Sequence, residues 1–255
     1  MSETAKPSAV VVIPCYNEAS RLDFERLGDV LQNRTMRILF VDDGSTDRTA
    51  ALLGEWAATN PDVAVLQLPA NGGKGEAVRA GLLHAIEEGA TIVAYYDADL
   101  ASPTDELVRI YELVVERPSI NVAMGARVAL LGSQIERSRL RHYQGRVFAS
   151  FASLLLGVPV YDTQCGLKVL RVTPALSAAL DRPFMSRWVF DVELLMRLLN
   201  GPEPLGVDDI VEVPLREWRD VRGSSLSMQA RLGAMTDLAR IMFTYRTKGG
   251  RRSPD

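Results

Sequence analysis

The chain is poor in the residues that mark several protein classes. It has only two cysteines, Cys15 and Cys165, in 255 residues, which excludes a disulfide framework and fits a reducing compartment. Two histidines, His84 and His142, are too few for a histidine-based metal centre. No apolar run reaches the roughly 18 to 20 residues that a membrane-spanning helix needs. The nearest, Val147–Val160, is broken by Ser150, Ser153, Gly157 and Pro159. The first residues, MSETAKPS, are polar and lack the apolar centre of a signal peptide. Charge of one sign is missing too: 29 Lys and Arg against 32 Asp and Glu leave a net −3. That balance argues against a nucleic-acid partner, for which a strongly basic domain is expected. With 47% hydrophobic residues the chain can bury a large core. The expectation is a cytoplasmic globular protein with no transmembrane helix.

What is present is an alternation of strand and helix. AVVVI (9–13), RILFV (37–41), VAVLQL (63–68), TIVAYY (91–96) and INVAMG (120–125) read as buried strands. Helical patterns fall near 21–32, 47–59, 73–88 and 103–116. Ser45 or Asp47 can cap the second helix, and Ser102 the fourth, with Pro103 in its first turn. This order implies an α/β fold with a mainly parallel sheet flanked by helices. Further on, a long helix is expected over 134–156, strands at 166–170 and 210–213, and helices at 189–199 and 225–245. The last carries Met228, Leu232, Met235, Leu238, Met242 and Tyr245 as an apolar stripe. Its basic surround (Arg231, Arg240, Arg246, Lys248, Arg251, Arg252) permits docking on anionic lipid, while core packing is the simpler role. No linker separates independent domains.

Ligands of parallel sheets bind outside the carboxyl ends of the strands. Strand one runs into Pro14-Cys15-Tyr16-Asn17-Glu18, strand two into Asp42-Asp43-Gly44-Ser45-Thr46-Asp47, and strand four into Asp97-Ala98-Asp99. A hard cation such as Mg²⁺ or Mn²⁺ takes one or two carboxylates plus phosphate oxygens. A D-x-D alone also suits a plain turn; its place after a buried strand, with Asp42 and Asp43 on another, favours the metal. Asn71-Gly72-Gly73-Lys74-Gly75 opens a helix, where exposed amides and a lysine favour an anion. It is not a Walker A loop, and a Gly-rich turn without ligand is the alternative.

Together IPCYNE (13–18), VDDGSTDRT (41–49), GGKGEAV (72–78), DADLASP (97–103) and GAR (125–127) resemble glycosyltransferase family 2, the inverting nucleotide-sugar enzymes of the GT-A fold. YDTQCGLKVL (161–170) and RWVFDVELL (187–195) are similar to its dolichyl-phosphate β-glucosyltransferase branch. The resemblance implies one Rossmann-like domain over 1–255: a nucleotide-sugar-binding half (9–126), a helical acceptor half (127–245) and a polar tail (246–255). It places Pro14, Tyr16, Glu18 and Asp43 against the donor's base and ribose, with Lys74 nearby. It gives Asp97 to ribose and diphosphate, and Asp99 to the metal, Mg²⁺ or Mn²⁺. Arg127 and Arg141 match positions that meet an acceptor phosphate.

The run 136–142 holds Arg137, Arg139 and Arg141, and Arg146 follows. A solvated helix face is the ordinary explanation. Because the same helix continues into apolar residues, a polyprenyl phosphate fits, with its head on the arginines and its tail along the helix. Lys168 is a phosphate contact or a strand-edge lysine. Asp162 is a base or sugar-orienting carboxylate, or a cap. Asp191 is a weaker candidate; Glu193 points about 200° away from it on a helix, and one of the two is expected to be solvated. The cysteines read as buried, inert thiols. The expected reaction is hexose transfer, glucose from UDP-glucose (UDP favoured over GDP), to a polyprenyl phosphate, with peripheral membrane contact on the inner face. The rivals are transfer to a sugar hydroxyl or small metabolite, a nucleotidyltransferase, and a nucleotide-binding module without catalysis.

Overall fold

The structure is a computed structural model that describes residues 8–32, 35–137, 139–221 and 228–246. Strands β1 (Ala9–Cys15), β2 (Met36–Asp42), β3 (Val63–Gln67), β4 (Ile92–Tyr96) and β5 (Val122–Ala126) alternate with α1 (Phe24–Leu31), α2 (Thr49–Thr59), α3 (Lys74–Glu87) and α4 (Thr104–Glu116). Then come β6 (Gln134–Glu136), α5 (Arg139–Leu156), β7 (Leu167–Arg171), α6 (Pro174–Leu180), α7 (Phe190–Asn200), β8 (Ile210–Pro214), β9 (Glu217–Arg219) and α8 (Met228–Arg246). Seven strands form one sheet in the order β3-β2-β1-β4-β7-β5-β8. All pairs are parallel except those of β7, which runs antiparallel to β4 and β5. The mainly parallel α/β sheet of the sequence reading is therefore present.

Both faces of β1 are buried. Val10 and Val12 join the core beneath α3 and α7, while Ala9, Val11 and Ile13 join the core beneath α1 and α4. This is why the strand reads as an unbroken apolar run. Helix α3 lies so close that a Cβ on Gly81 would overlap Val12 and Val41. Gly81→Ala is expected to lose about 1–3 kcal/mol through overpacking, read by denaturant unfolding; an unchanged midpoint would mean that α3 shifts freely off the sheet.

Three sequence expectations are corrected. The segment 134–136 is not the start of a helix: it pairs with 217–219 as a two-stranded sheet, Ile135 opposite Trp218, and the helix begins at Arg139. A three-residue strand has too few residues to show its alternation against a helical period. Helix α6 went unread, although Thr173 Oγ1 caps it by accepting from the Leu176 amide with Pro174 at the first turn. Ser102 does not cap α4; Pro103 is the N-cap residue, and the Ser102 carbonyl accepts from the Tyr96 hydroxyl. On α8, Leu238 and Ile241 are buried against the core, as the packing role requires. The side chains of Met228, Leu232, Met235, Met242, Arg231 and Arg246, and residues 247–255, lie outside the described set. Among the described residues no helix is long and apolar enough to cross a membrane.

Candidate active site

The chain leaves β1 for β2 on one side and later enters β4 on the other, so the switch point lies between β1 and β4. The loop after β1 is tied down by the loop after β2. Asn17 sits at φ 53°, and its Oδ1 accepts from the Thr46 and Asp47 amides at 2.8 and 3.3 Å. Ser45 Oγ accepts from the Asn17 amide and Thr49 Oγ1 from the Glu18 amide. Neither Ser45 nor Asp47 therefore caps α2, whose N-cap residue is Arg48 with no side-chain cap: Ser45 holds the neighbouring loop, and Asp47, one residue before the cap, accepts from the Thr49 amide at 2.9 Å. Pro14 is half-buried at the crevice edge, and Tyr16 is 44% exposed beside it.

Asp43 is buried, and both its oxygens are spent on the Gly-rich turn, accepting from the Gly72 and Gly73 amides at 2.7 and 2.8 Å. From the other side Arg187 donates to the Asn71 and Gly72 carbonyls at 2.6 and 3.0 Å. The turn is clamped on its amides and on its carbonyls. It delivers Lys74, whose Nζ lies 2.6 Å from Asp97 Oδ1, off the direction of a hydrogen bond.

Glu18, Asp97 and Asp99 meet here. Leu100 stands at φ 52°, a strained position for a bulky residue, at the turn that carries both aspartates. Asp99 makes one described hydrogen bond, accepting from the Ala101 amide at 3.1 Å. Burial first, then Asp97, pushes the Asp99 carboxyl above its ordinary value. Burial likewise raises Glu18; Arg21 opposes this, and Asp99 and Asp97 add to it. Burial works against the Lys74 ammonium, but Asp97, Asp191 and Asp99 outweigh it and hold its pKa up. Glu18 Oε2 and Asp97 Oδ1 are buried without a hydrogen-bond donor. Glu18 Oε2, with no described partner, and Asp97 Oδ1, met only by the Lys74 charge, lie beside Asp99 and suit a cation completed by phosphate oxygens. Among the described residues no group of three or more His, Cys, Asp or Glu makes a full cage, so these carboxylates fit a metal shared with a ligand.

The acceptor-side expectations change more. Arg127 and Asp162 grip one another in the wall of a pocket: Nε and Nη2 donate to Oδ2 and Oδ1 at 2.6 and 2.7 Å, and the Arg127 amide donates to Oδ2 at 3.1 Å. Burial would raise the Asp162 carboxyl, but the Arg127 charge and its hydrogen bonds win and lower it. A carboxylate held ionised this way is a weak proton acceptor, which counts against Asp162 as general base. It is no helix cap either. Arg127 also lies over the Trp218 ring, 5.4 Å from its centroid.

Lys168 is no phosphate ligand and no edge residue. It lies inside the sheet at 0% exposure, and its Nζ donates to the Thr163 and Cys165 carbonyls and to Asp191 Oδ1 at 2.8, 2.9 and 2.7 Å. All three ammonium hydrogens are used. Asp191, 4% exposed, also accepts from the Tyr95 hydroxyl. Burial disfavours both charges, lowering the Lys168 pKa and raising that of Asp191, Lys74 opposing the latter; the 2.7 Å contact between them offsets this by pairing the two. Glu193 is not solvated: it points to the opposite side of α7, where it pairs with Arg197 at 2.6 Å. Both cysteines are buried free thiols whose pKa burial raises.

Arg137 is half-buried and lines a pocket with Arg127, His142, Arg146 and Tyr161. The side chain of Arg141 lies outside the described residues. His142, given no role from sequence, is at this pocket. Arg146 lies 4.1 Å from the Tyr161 ring centroid. Among residues that sequence reasoning missed are Asn17, Arg187 and Gly166. Gly166 leaves no room for a Cβ against the Asp97 carboxylate, and its carbonyl accepts from the Asp97 amide at 2.9 Å. The signals were available: an Asn and a Gly each inside a motif, and an Arg opening another.

The strand order, the switch-point crevice and the D-x-D turn define a glycosyltransferase of the GT-A fold. One solved structure of like fold, glucosyl-3-phosphoglycerate synthase from Mycobacterium tuberculosis with Mn²⁺, UDP and glucosyl-3-phosphoglycerate, superposes with TM-score 0.65 at 21% identity, covering 94% of this chain and 80% of that one. The chain belongs to glycosyl transferase family 2, whose profile matches residues 10–175. It is 29% identical over 248 residues to a dolichyl-phosphate beta-glucosyltransferase of Trichomonas vaginalis (92% of this chain, 71% of that protein). It is 30% identical over 260 residues to the dolichyl-phosphate beta-glucosyltransferase of Dictyostelium discoideum, covering 92% and 74%.

Proposed function

We propose that the chain transfers glucose from UDP-glucose to a polyprenyl phosphate with inversion, using Mg²⁺ or Mn²⁺. The observation that carries this reading is the continuity between the arginine pocket and α5. From His142 the helix exposes Tyr143, Val147, Phe151 and Leu154, an apolar stripe at helical spacing that starts where the phosphate would dock. Leu130 and Leu131 are exposed in the loop that leads from Arg127 to β6. Such a surface suits a substrate with an anionic head and a hydrocarbon tail, presented at a membrane that the protein touches peripherally. The two curated relatives, both named for dolichyl-phosphate glucosylation, support the same acceptor and sugar.

In this reading Asp99 and Asp97 hold the cation, and Lys74 adds a second positive charge for the diphosphate. A bound divalent cation supplies neutralisation of the charge that develops on the leaving diphosphate. Pro14, Tyr16 and Glu18 border the base and ribose, and Asp43 acts by keeping the Gly-rich turn in shape. Arg127 and Arg137 receive the acceptor phosphate, which must share the Arg127 guanidinium with Asp162. A phosphate is already ionised at pH 7, so in-line attack needs positioning and not a base. That agrees with Asp162 being ion-paired and Asp191 buried. A sugar hydroxyl would need a base that neither supplies.

Purified protein with Mn²⁺ is expected to convert UDP-glucose and a short polyprenyl phosphate in detergent to UDP and the β-linked glucosyl lipid, with chelation of the metal abolishing turnover. In thermal-shift measurements UDP with Mn²⁺ is expected to stabilise the protein more than GDP with Mn²⁺. Product formed only with a sugar hydroxyl acceptor, or no turnover of any nucleotide sugar with the lipid phosphate, would overturn the proposal.

A further inference from the structure

Between the donor and acceptor sides runs one short loop, 162–166. Its first residue, Asp162, grips Arg127. Its last, Gly166, abuts the Asp97 carboxylate and takes the Asp97 amide hydrogen bond at 2.9 Å. The loop therefore spaces the donor carboxylate from the acceptor arginine. Its middle is anchored from below. Lys168 Nζ holds the Thr163 and Cys165 carbonyls at 2.8 and 2.9 Å, and Gln164 Nε2 donates to Asp191 Oδ2 at 3.3 Å. The ammonium and carboxylate that receive these three residues are themselves paired at 2.7 Å, and Tyr95 of β4 donates to the same Asp191 oxygen that Lys168 holds.

We propose that Lys168 and Asp191 are a positioning pair, holding the 162–166 loop in the one shape that sets Asp97 and Arg127 at reactive separation while touching neither substrate. Charge pairing by itself does not account for them, because a buried ion pair is often matched or exceeded by well-packed apolar residues of similar size. What apolar residues cannot do is satisfy two inward-facing carbonyls and a side-chain amide at once. Lys168 is a member of the DTQCGLK segment, and its spacing follows: the carbonyls it holds lie three and five residues before it. The inference rests on the reading that the acceptor phosphate docks at Arg127.

The test compares three variants by initial rates with UDP-glucose and polyprenyl phosphate, by UDP affinity from calorimetry, and by melting temperature. Lys168→Met removes the ammonium, Lys168→Met/Asp191→Leu removes both charges, and Gln164→Leu cuts one loop tie while leaving the buried pair intact. Since a displacement of about 1 Å costs about 100-fold in rate, Lys168→Met is expected to lower kcat by about 100-fold while the UDP Kd moves by less than about threefold. The double variant is expected to melt above Lys168→Met, because no buried charge is left stranded, but below wild type, because the loop carbonyls and amide lose their partners, and not to regain kcat. Gln164→Leu is expected to lose about fivefold in kcat by the same loosening, at an unchanged melting temperature. A double variant with wild-type kcat would show that the pair only offsets its own burial, and overturns the proposal. Wild-type kcat in Gln164→Leu overturns it as well, and decides the matter if the other two do not fold. Wild-type protein that ignores the lipid phosphate altogether overturns the underlying reading too, a result distinct from active wild type with indifferent variants.

Discussion

Asp99→Ala is expected to lower metal-dependent kcat/KM by about 1,000-fold or more while leaving the fold intact. The size follows from the role: a metal ion contributes several kcal/mol of charge stabilisation in the transition state, and each 1.36 kcal/mol is about tenfold in rate. Survival of the fold follows from what Asp99 does in its absence. It accepts a single described hydrogen bond, from the Ala101 amide, and has no described ion pair. Its carboxyl is destabilised by burial and by Asp97, so that truncation relieves repulsion. Asp97 differs, because it is paired with Lys74 and braced by Gly166. Rates at saturating Mn²⁺ together with a melting curve make the measurement. Activity within about tenfold of wild type would remove Asp99 from the metal site, and a collapse in melting temperature would assign it to the fold instead.

The donor side was legible in the sequence because its chemistry is local. Each motif closes one strand, and the alternation of strand and helix places those strand ends at one sheet edge. Even there the division of labour was hidden. Asp43 looks like a ligand group and Ser45 like a helix cap, yet both, with Asn17, hold neighbouring loops in place. The acceptor side was less legible because its decisive contacts are remote: Arg127 meets Asp162 across 35 positions, and Lys168 meets Asp191 across 23. A lysine in LKVLR can sit on an edge or inside a sheet with the same neighbours in sequence. Only the insertion of β7 between β4 and β5 decides it. Strand direction is equally silent, since an apolar run reads alike in both senses, and nothing in 167–171 announces the antiparallel strand.

The second large effect concerns that remote pairing. Asp162→Ala is expected to cost about 3–5 kcal/mol, the usual penalty for stranding one member of a buried ion pair. At about 2–4 °C per kcal/mol for a chain of this size, melting falls by roughly 10 °C. Asp162 and Arg127 have side-chain exposures of 8% and 14%, so little solvent is at hand to replace the lost partner. The sign with pH follows from the depressed Asp162 carboxyl. The pair's contribution is fully present above the ordinary carboxylate range and fades only as pH falls through the lower value it has when folded. Arg127→Met/Asp162→Leu removes both charges and is expected to recover most of the melting temperature. It is not expected to recover turnover, because the acceptor phosphate then has lost the guanidinium that Asp162 aims. The KM for polyprenyl phosphate should rise by at least about tenfold, the value of one lost charge-assisted contact, with UDP affinity little changed. If the double variant regains both melting temperature and acceptor KM, the pair is structural only, and the phosphate must dock on Arg137 and its neighbours without Arg127.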